Sequence, residues 1–173
     1  MSVVSWGKPR VLVADLDVES PVWEEMPTPV ESSTSLETTK GDKKEAKIEG
    51  GEYEDVKYLA NTYAINLNIR AIKGRKRPIS DKDGVVAHNY AIAVQPEDPS
   101  CPGLCFRKSA VSVEDTFTAD DGGVWAYTFD ALKKNSSVGQ REWGVIEVTE
   151  TDGSITAVKC TPDDGTAFDI LKD

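Results

Sequence analysis

Histidine is almost missing from this chain: its 173 residues include one, His88, set between Ala87 and Asn89. General-base and nucleophilic catalysis at neutral pH relies most often on histidine, and no nucleophile in the sequence stands with a matching base. No catalytic residue is assigned, and the chain is read as non-enzymatic. Cysteine is scarce too. Cys101, Cys105 and Cys160 make an odd count, which cannot close a disulfide framework, so reduced thiols are expected. Cys101 and Cys105 are spaced like half a zinc site, but a structural site takes four ligands and only Cys160 and His88 are left to complete it. No metal or cofactor is expected.

Long apolar runs are lacking as well. No eighteen consecutive apolar residues occur, which argues against a membrane-spanning helix. Residues 1–9 have neither the charged nor the apolar region of a secretory signal. Synthesis in a cytoplasm and no membrane partner are the expectation. A glycine-rich phosphate loop is absent. Asp81-Lys82-Asp83-Gly84 opens like a calcium loop, yet residues 85–89 bring neither further oxygen ligands nor the closing Glu.

What the chain has in excess is acid, with 30 Asp and Glu against 20 Lys and Arg and a formal charge of −10. That balance opposes tight binding to nucleic acid, which needs a basic face to displace counterions. It suits the passage of DNA without adhesion, and it also simply keeps a protein soluble. The 39% hydrophobic and 29% charged content is that of a globular domain, and a chain of this length builds a core without staples.

Alternation with period two dominates. In residues 62–70, Tyr63, Ile65, Leu67 and Ile69 share one face, and Ala64, Asn66, Asn68 and Arg70 the other, the pattern of a half-buried antiparallel strand. Residues 109–118 and 124–131 read as strands joined through Ala119-Asp120-Asp121-Gly122-Gly123, and residues 143–149 and 155–160 as a second pair with Asp152-Gly153 at the bend. Residues 10–16 and 91–94 add two more. One short helix is expected after Ser80-Asp81-Lys82-Asp83, with Val85, Val86 and Asn89 on it. Residues 27–51 are polar, rich in Ser, Thr, Lys and Glu, and too long for an ordinary connection. They read either as a mobile excursion or pair of exposed edge strands, or as an arm between subunits. The one basic cluster, Lys73-Gly74-Arg75-Lys76-Arg77-Pro78, reads as a solvated turn or as a contact for an acidic neighbour.

Trp6-Gly7-Lys8-Pro9, Pro27-Thr28-Pro29-Val30-Glu31, Gly74-Arg75-Lys76-Arg77-Pro78-Ile79, Gln95-Pro96-Glu97-Asp98-Pro99 and Thr118-Ala119-Asp120-Asp121-Gly122-Gly123-Val124-Trp125 follow one another in an informative order. Over about residues 6–133 this series resembles a major tail tube protein of long-tailed bacteriophages, a family similar in fold to the tube protein of type VI secretion. The resemblance implies a mainly β fold: an antiparallel β-sandwich or barrel with one short helix and a long projecting loop. Residues 1–135, including loop 27–51, would form that domain, and residues 136–173 a C-terminal hairpin and tail, in the same domain or as a small extension.

The resemblance further implies a structural virion protein of the tail, made in the host bacterial cytoplasm. Copies would form stacked, hexameric rings with an acidic channel for DNA ejection. The partners would be the chain itself, the tape measure protein, and the tail terminator and initiator proteins, with DNA passing and not binding. Lys40, Lys43, Lys44, Lys47, Arg75, Lys76 and Arg77 are the expected intersubunit residues, and Glu114, Asp115, Asp120 and Asp121 the expected acidic residues of the channel. The alternative is a non-enzymatic β-sandwich that binds carbohydrate or a host surface through aromatics such as Trp23, Tyr53 and Tyr58.

Overall fold

The computed structural model describes residues 7–135, 139–163 and 165–172, in which all regular structure is antiparallel β. The strands are β1 (Arg10–Asp15), β2 (Trp23–Glu25), β3 (Ser35–Thr39), β4 (Lys43–Lys47), β5 (Tyr53–Tyr58) and β6 (Thr62–Arg70). They continue with β7 (Val85–Gln95), β8 (Pro102–Thr118), β9 (Gly122–Ala131), β10 (Glu142–Thr151), β11 (Ser154–Thr161) and β12 (Phe168–Asp169).

Ten of them form one branched sheet, and the branch point is β8. One edge of β8 pairs with β7 along much of its length. The other edge pairs first with β10, from Pro102 to Cys105, and then with β9, from Ser109 to Thr118. One path therefore runs β12-β11-β10-β8-β7-β1-β2, and the other leaves β8 through β9 and β6 to β3. The sheet stays open and does not close into a barrel.

Folding the two branches together builds the larger core. Ile65, Leu67 and Ile69 of β6, Tyr127 and Phe129 of β9, and Val111 and Val113 of β8 meet Val11, Val13, Ile92, Val94 and Phe106. Tyr127 is anchored there by a bond from its hydroxyl to Ile79 O at 3.1 Å. A second core lies behind β1 and β7. Leu12, Ala14, Ala91, Ala93 and Cys105 are covered by Ile146, Val158, Cys160 and Ile170, with Trp23 at the side. This is why β1 reads as the near-continuous apolar run Val11-Leu12-Val13-Ala14: both of its faces are buried.

The helix expected after residue 80 does not form, and those residues open β7 instead. Asp83 and Gly84 both have positive φ, at 52° and 82°, and Lys82 and Val85 exchange backbone bonds of 2.9 and 3.0 Å across them. An Asp-Gly pair with both residues left-handed makes a two-residue hairpin turn that matches strand twist. Asp81 Oδ2 accepts from Gly84 N at 2.9 Å and so caps the turn, not a helix. Asp152 and Gly153, with φ of 51° and 80°, make the expected turn between β10 and β11.

Candidate functional site

Residues 27–51 are largely ordered into strands. β3 adds to the edge of β6, with Leu36 opposite Ile65. β4 pairs with β5 as a separate two-stranded ribbon, in which Val56 alone is more than slightly shielded. The long polar segment thus supplies one sheet edge and half of a projecting hairpin. The root of the ribbon is tight: a Cβ on Gly41 would lie 2.1 Å from Leu59 O, and Gly41 N donates to Asn61 Oδ1 at 3.0 Å.

Pairing register gives the ribbon two unlike faces. One carries Lys43, Glu45, Lys47, Tyr53, Val56 and Tyr58. Lys43 Nζ lies 4.4 Å from the centroid of the Tyr53 ring and Lys47 Nζ 5.1 Å, while Lys40 Nζ lies 5.2 Å from that of Tyr58. The hydrogen bond to Tyr53 and the nearby Glu45 hold the Lys43 ammonium above its ordinary pKa. Lys44 belongs to the other face, beside Lys57. Tyr53 and Tyr58 are 52% and 57% exposed, so this basic and aromatic face is free to meet another surface.

The body presents a second surface. On β3, β6, β9 and β8 the side chains opposite the core stand in rows: Ser35, Asn66, Thr128 and Ser112, then Asn68, Ala126 and Glu114, then Arg70, Val124 and Thr116. Glu37, Ala64 and Asp130 form a further row. Short, uncharged side chains predominate, tied laterally by Thr128 Oγ1 donating to Asn66 Oδ1 at 3.0 Å. In these rows Glu37, Glu114 and Asp130 stand with one cation, Arg70, so the rows carry an excess of acid. Both flanks of this branch are open: among the described residues no strand pairs with the outer edge of β3, and on the edge of β7 away from β8 the strand β1 pairs only from Tyr90 onward.

No protein-family model matches the chain, and no curated protein is significantly similar to it.

The expected acidic residues fall in three places. Glu114 is on the polar face. Asp115 points to the opposite side, where Arg77 Nη2 reaches its Oδ2 at 2.8 Å. Asp120 and Asp121 are at the tip of the β8–β9 hairpin, and Asp121 O accepts from Arg70 Nη1 at 2.8 Å. Glu37 and Asp130 went unnoticed in the sequence, although the alternation that puts Asn66 outward also puts Glu37 and Asp130 there once the register is known.

The basic cluster is partly consumed within the chain. Arg77 binds Asp81 Oδ1 at 2.6 Å as well as Asp115 and stacks on Trp125, and Arg75 Nη1 donates to Arg70 O at 2.8 Å. Lys73 and Lys76 are exposed. Trp23, named for sugar stacking, is buried in the second core and is not available as a surface platform.

His88 Nδ1 meets Asp15 Oδ2 at 2.7 Å on the surface, and this hydrogen bond raises the imidazole pKa above its usual value. Cys105 and Cys160 are brought into contact in the second core, while Cys101 stands apart. Among the described residues no group of three or more His, Cys, Asp or Glu side chains is disposed to hold a metal, and no helix is long and apolar enough to cross a membrane.

Proposed function

We propose that the chain is a structural subunit that assembles with copies of itself into a hollow tube, the tail tube of a long-tailed phage, through which DNA passes without binding. The observation that carries this reading is the polar face of β3, β6, β9 and β8, bordered by two unpaired edges. Unpaired edges are a liability in a monomer. Joined edge to edge between copies, they would extend the sheet around a ring and give it a continuous wall of short polar side chains. The excess of Glu37, Glu114 and Asp130 over Arg70 would repel phosphates along that wall.

The ribbon supports the same reading. Its exposed Tyr53 and Tyr58 with Lys40, Lys43 and Lys47 match the acidic surface that a chain of charge −10 offers to its neighbours. In this reading the two packed branches are a tail-tube-like sandwich. The rings are six-fold on the sequence resemblance, and the ends of the tube meet the terminator, initiator and tape measure proteins in the virion.

Electron microscopy of the purified chain tests the proposal directly. Hollow rings or filaments are expected as concentration rises. A protein that sediments as a monomer across that range would sink it.

A further inference from the structure

Cys105 and Cys160 come from opposite layers of the second core. Cys105 of β8 lies on the face it shares with Ala91 and Ala93 of β7, and Cys160 of β11 covers that face together with Val158 and with Ile146 of β10. Both cysteines are fully buried, and their thiols are hydrogen-bonded to each other. The layers close on one another at a pair of glycines. Gly103 of β8 stands opposite Gly144 of β10, a Cβ on Gly144 would lie 2.9 Å from Cys160 Sγ, and one on Gly103 would lie 2.7 Å from Ile146 Cγ1. A side chain at Gly144 would push Cys160 away, and its absence lets the two sulfurs meet.

The bond between the thiols makes them unequal. Donated by Cys105, it lowers the pKa of Cys160, against the effect of burial, and together with burial it raises that of Cys105. The thiolate is the reactive form of cysteine, so Cys160 is the attacking sulfur. The strand outside it is slight: Cys160 pairs with Phe168 of β12, which has two residues and ends the sheet. Short edge elements open locally far more readily than a core strand, and a molecule as small as hydrogen peroxide can enter there.

We propose that Cys105 and Cys160 are a dithiol that a peroxide converts into a disulfide, stapling the β10–β11 layer to β8. The Cys160 thiolate attacks one peroxide oxygen and breaks the O–O bond, which leaves a sulfenic acid on Cys160 and a hydroxide that takes up a proton to become water. The Cys105 sulfur then attacks the Cys160 sulfur, and the sulfenic hydroxyl departs with the Cys105 proton as a second water. The two thiols lose two electrons and two protons, and hydrogen peroxide gains both. A disulfide between two packed β layers is a recurrent staple, and this one closes a loop that contains β9 and β10, which restricts the unfolded chain. The pair stays reduced in a cytoplasm and locks in an oxidising medium. It is independent of the assembly reading above.

The test uses the full chain with Cys101→Ser, which removes the partly exposed thiol and leaves the second core untouched. Titrated in denaturant, both remaining thiols should be present before treatment with hydrogen peroxide and absent after it. The mass should fall by two hydrogens, and one linked peptide should join Cys105 to Cys160. The treated chain should melt at a higher temperature than the reduced one, and dithiothreitol should reverse every change. Adding Cys160→Ala should abolish both the link and the rise in melting temperature; should that variant fail to fold, the thiol titration and the peptide map still decide the matter. Thiols that persist at a peroxide dose sufficient to oxidise Cys101 in the parent overturn the staple. So do disulfides that join two chains, or thiols lost to sulfinic acid with no linked peptide.

Discussion

Arg77 Nη2 reaches Asp115 Oδ2 at 2.8 Å, while Glu114, one residue earlier on β8, stands on the opposite side of the sheet. Two adjacent carboxylates thus have unlike roles. Asp115→Asn should cost no more than about 1 kcal/mol, since both partners are substantially exposed and solvent screens the pair. Asp81→Ala should cost more, about 2 to 3 kcal/mol, because the shielded Asp81 carboxylate serves both Arg77 and the Gly84 amide. Denaturant melts of the two variants check the order.

Neutralising the polar face should change adhesion and leave the fold intact. Glu37→Gln, Glu114→Gln and Asp130→Asn together remove three charges from an exposed surface, so stability should move by less than about 0.5 kcal/mol. Binding to DNA should rise, most at low salt, where phosphate contacts count most. A gel-shift titration at two ionic strengths reads this out, and unchanged binding would show that the face does not govern adhesion.

The His88–Asp15 pair makes a pH-dependent contribution of predictable sign. The hydrogen bond to Asp15 raises the folded His88 pKa above 6.5, so its stabilisation is full below 6.5 and is lost as pH rises through the folded value. For Asp15, burial pushes the pKa up, but bonds from His88 and the Asp17 amide outweigh it and hold the carboxyl below 3.8. That contribution is present above 3.8 and is lost as pH falls through the folded value. Tyr90 and Asp17 are the other ionisable groups beside the pair. The melting temperature should therefore decline from pH 6.5 upward in the parent, and the decline should be shallower in His88→Gln.

The three thiols should not behave alike. Cys105 and Cys160 have no exposed surface and touch in the second core, whereas Cys101 is partly exposed. Burying a serine hydroxyl without a good partner costs about 1 to 3 kcal/mol, so Cys105→Ser and Cys160→Ser should each destabilise by that order. Cys101→Ser should be neutral. Thermal melts under reducing conditions separate them.

The ribbon should be separable from the body. Replacing residues 43–57 with a short Gly-Ser turn removes no core residue, so cooperative melting should persist while tube formation is lost. Gly41→Ala is the subtler version. Its Cβ would collide with Leu59 O and Ala60 O, and faster amide exchange confined to β4 and β5 is the expected result. Normal tubes from the shortened chain would remove the ribbon from the assembly.

Local periodicity was enough to determine much of this protein. The alternation of Tyr63, Ile65, Leu67 and Ile69 defines a strand and its buried face whatever that strand pairs with, because side chains leave a strand on alternate sides. The Asp152-Gly153 turn was legible for the same local reason. Asp83-Gly84 carried the same signal, but Ser80 and Asp81 also resemble a helix cap, and only pairing with β8 settled the competition between the two. Tertiary structure alone decided what depends on register and on distant partners: that residues 35–39 add an edge to β6, that Glu37 and Asp130 join Glu114 on one face, and that Trp23 is covered by the second core. It also decided that Asp115 and Arg77 satisfy each other, 38 residues apart. A pattern of period two says which side of a strand a residue occupies, but not which strand lies beside it, since hydrogen bonding between backbones is blind to side-chain identity. That choice was made by packing two branches of one sheet around Phe129 and Tyr127, where hydrophobic burial favours the arrangement that leaves least apolar surface in water.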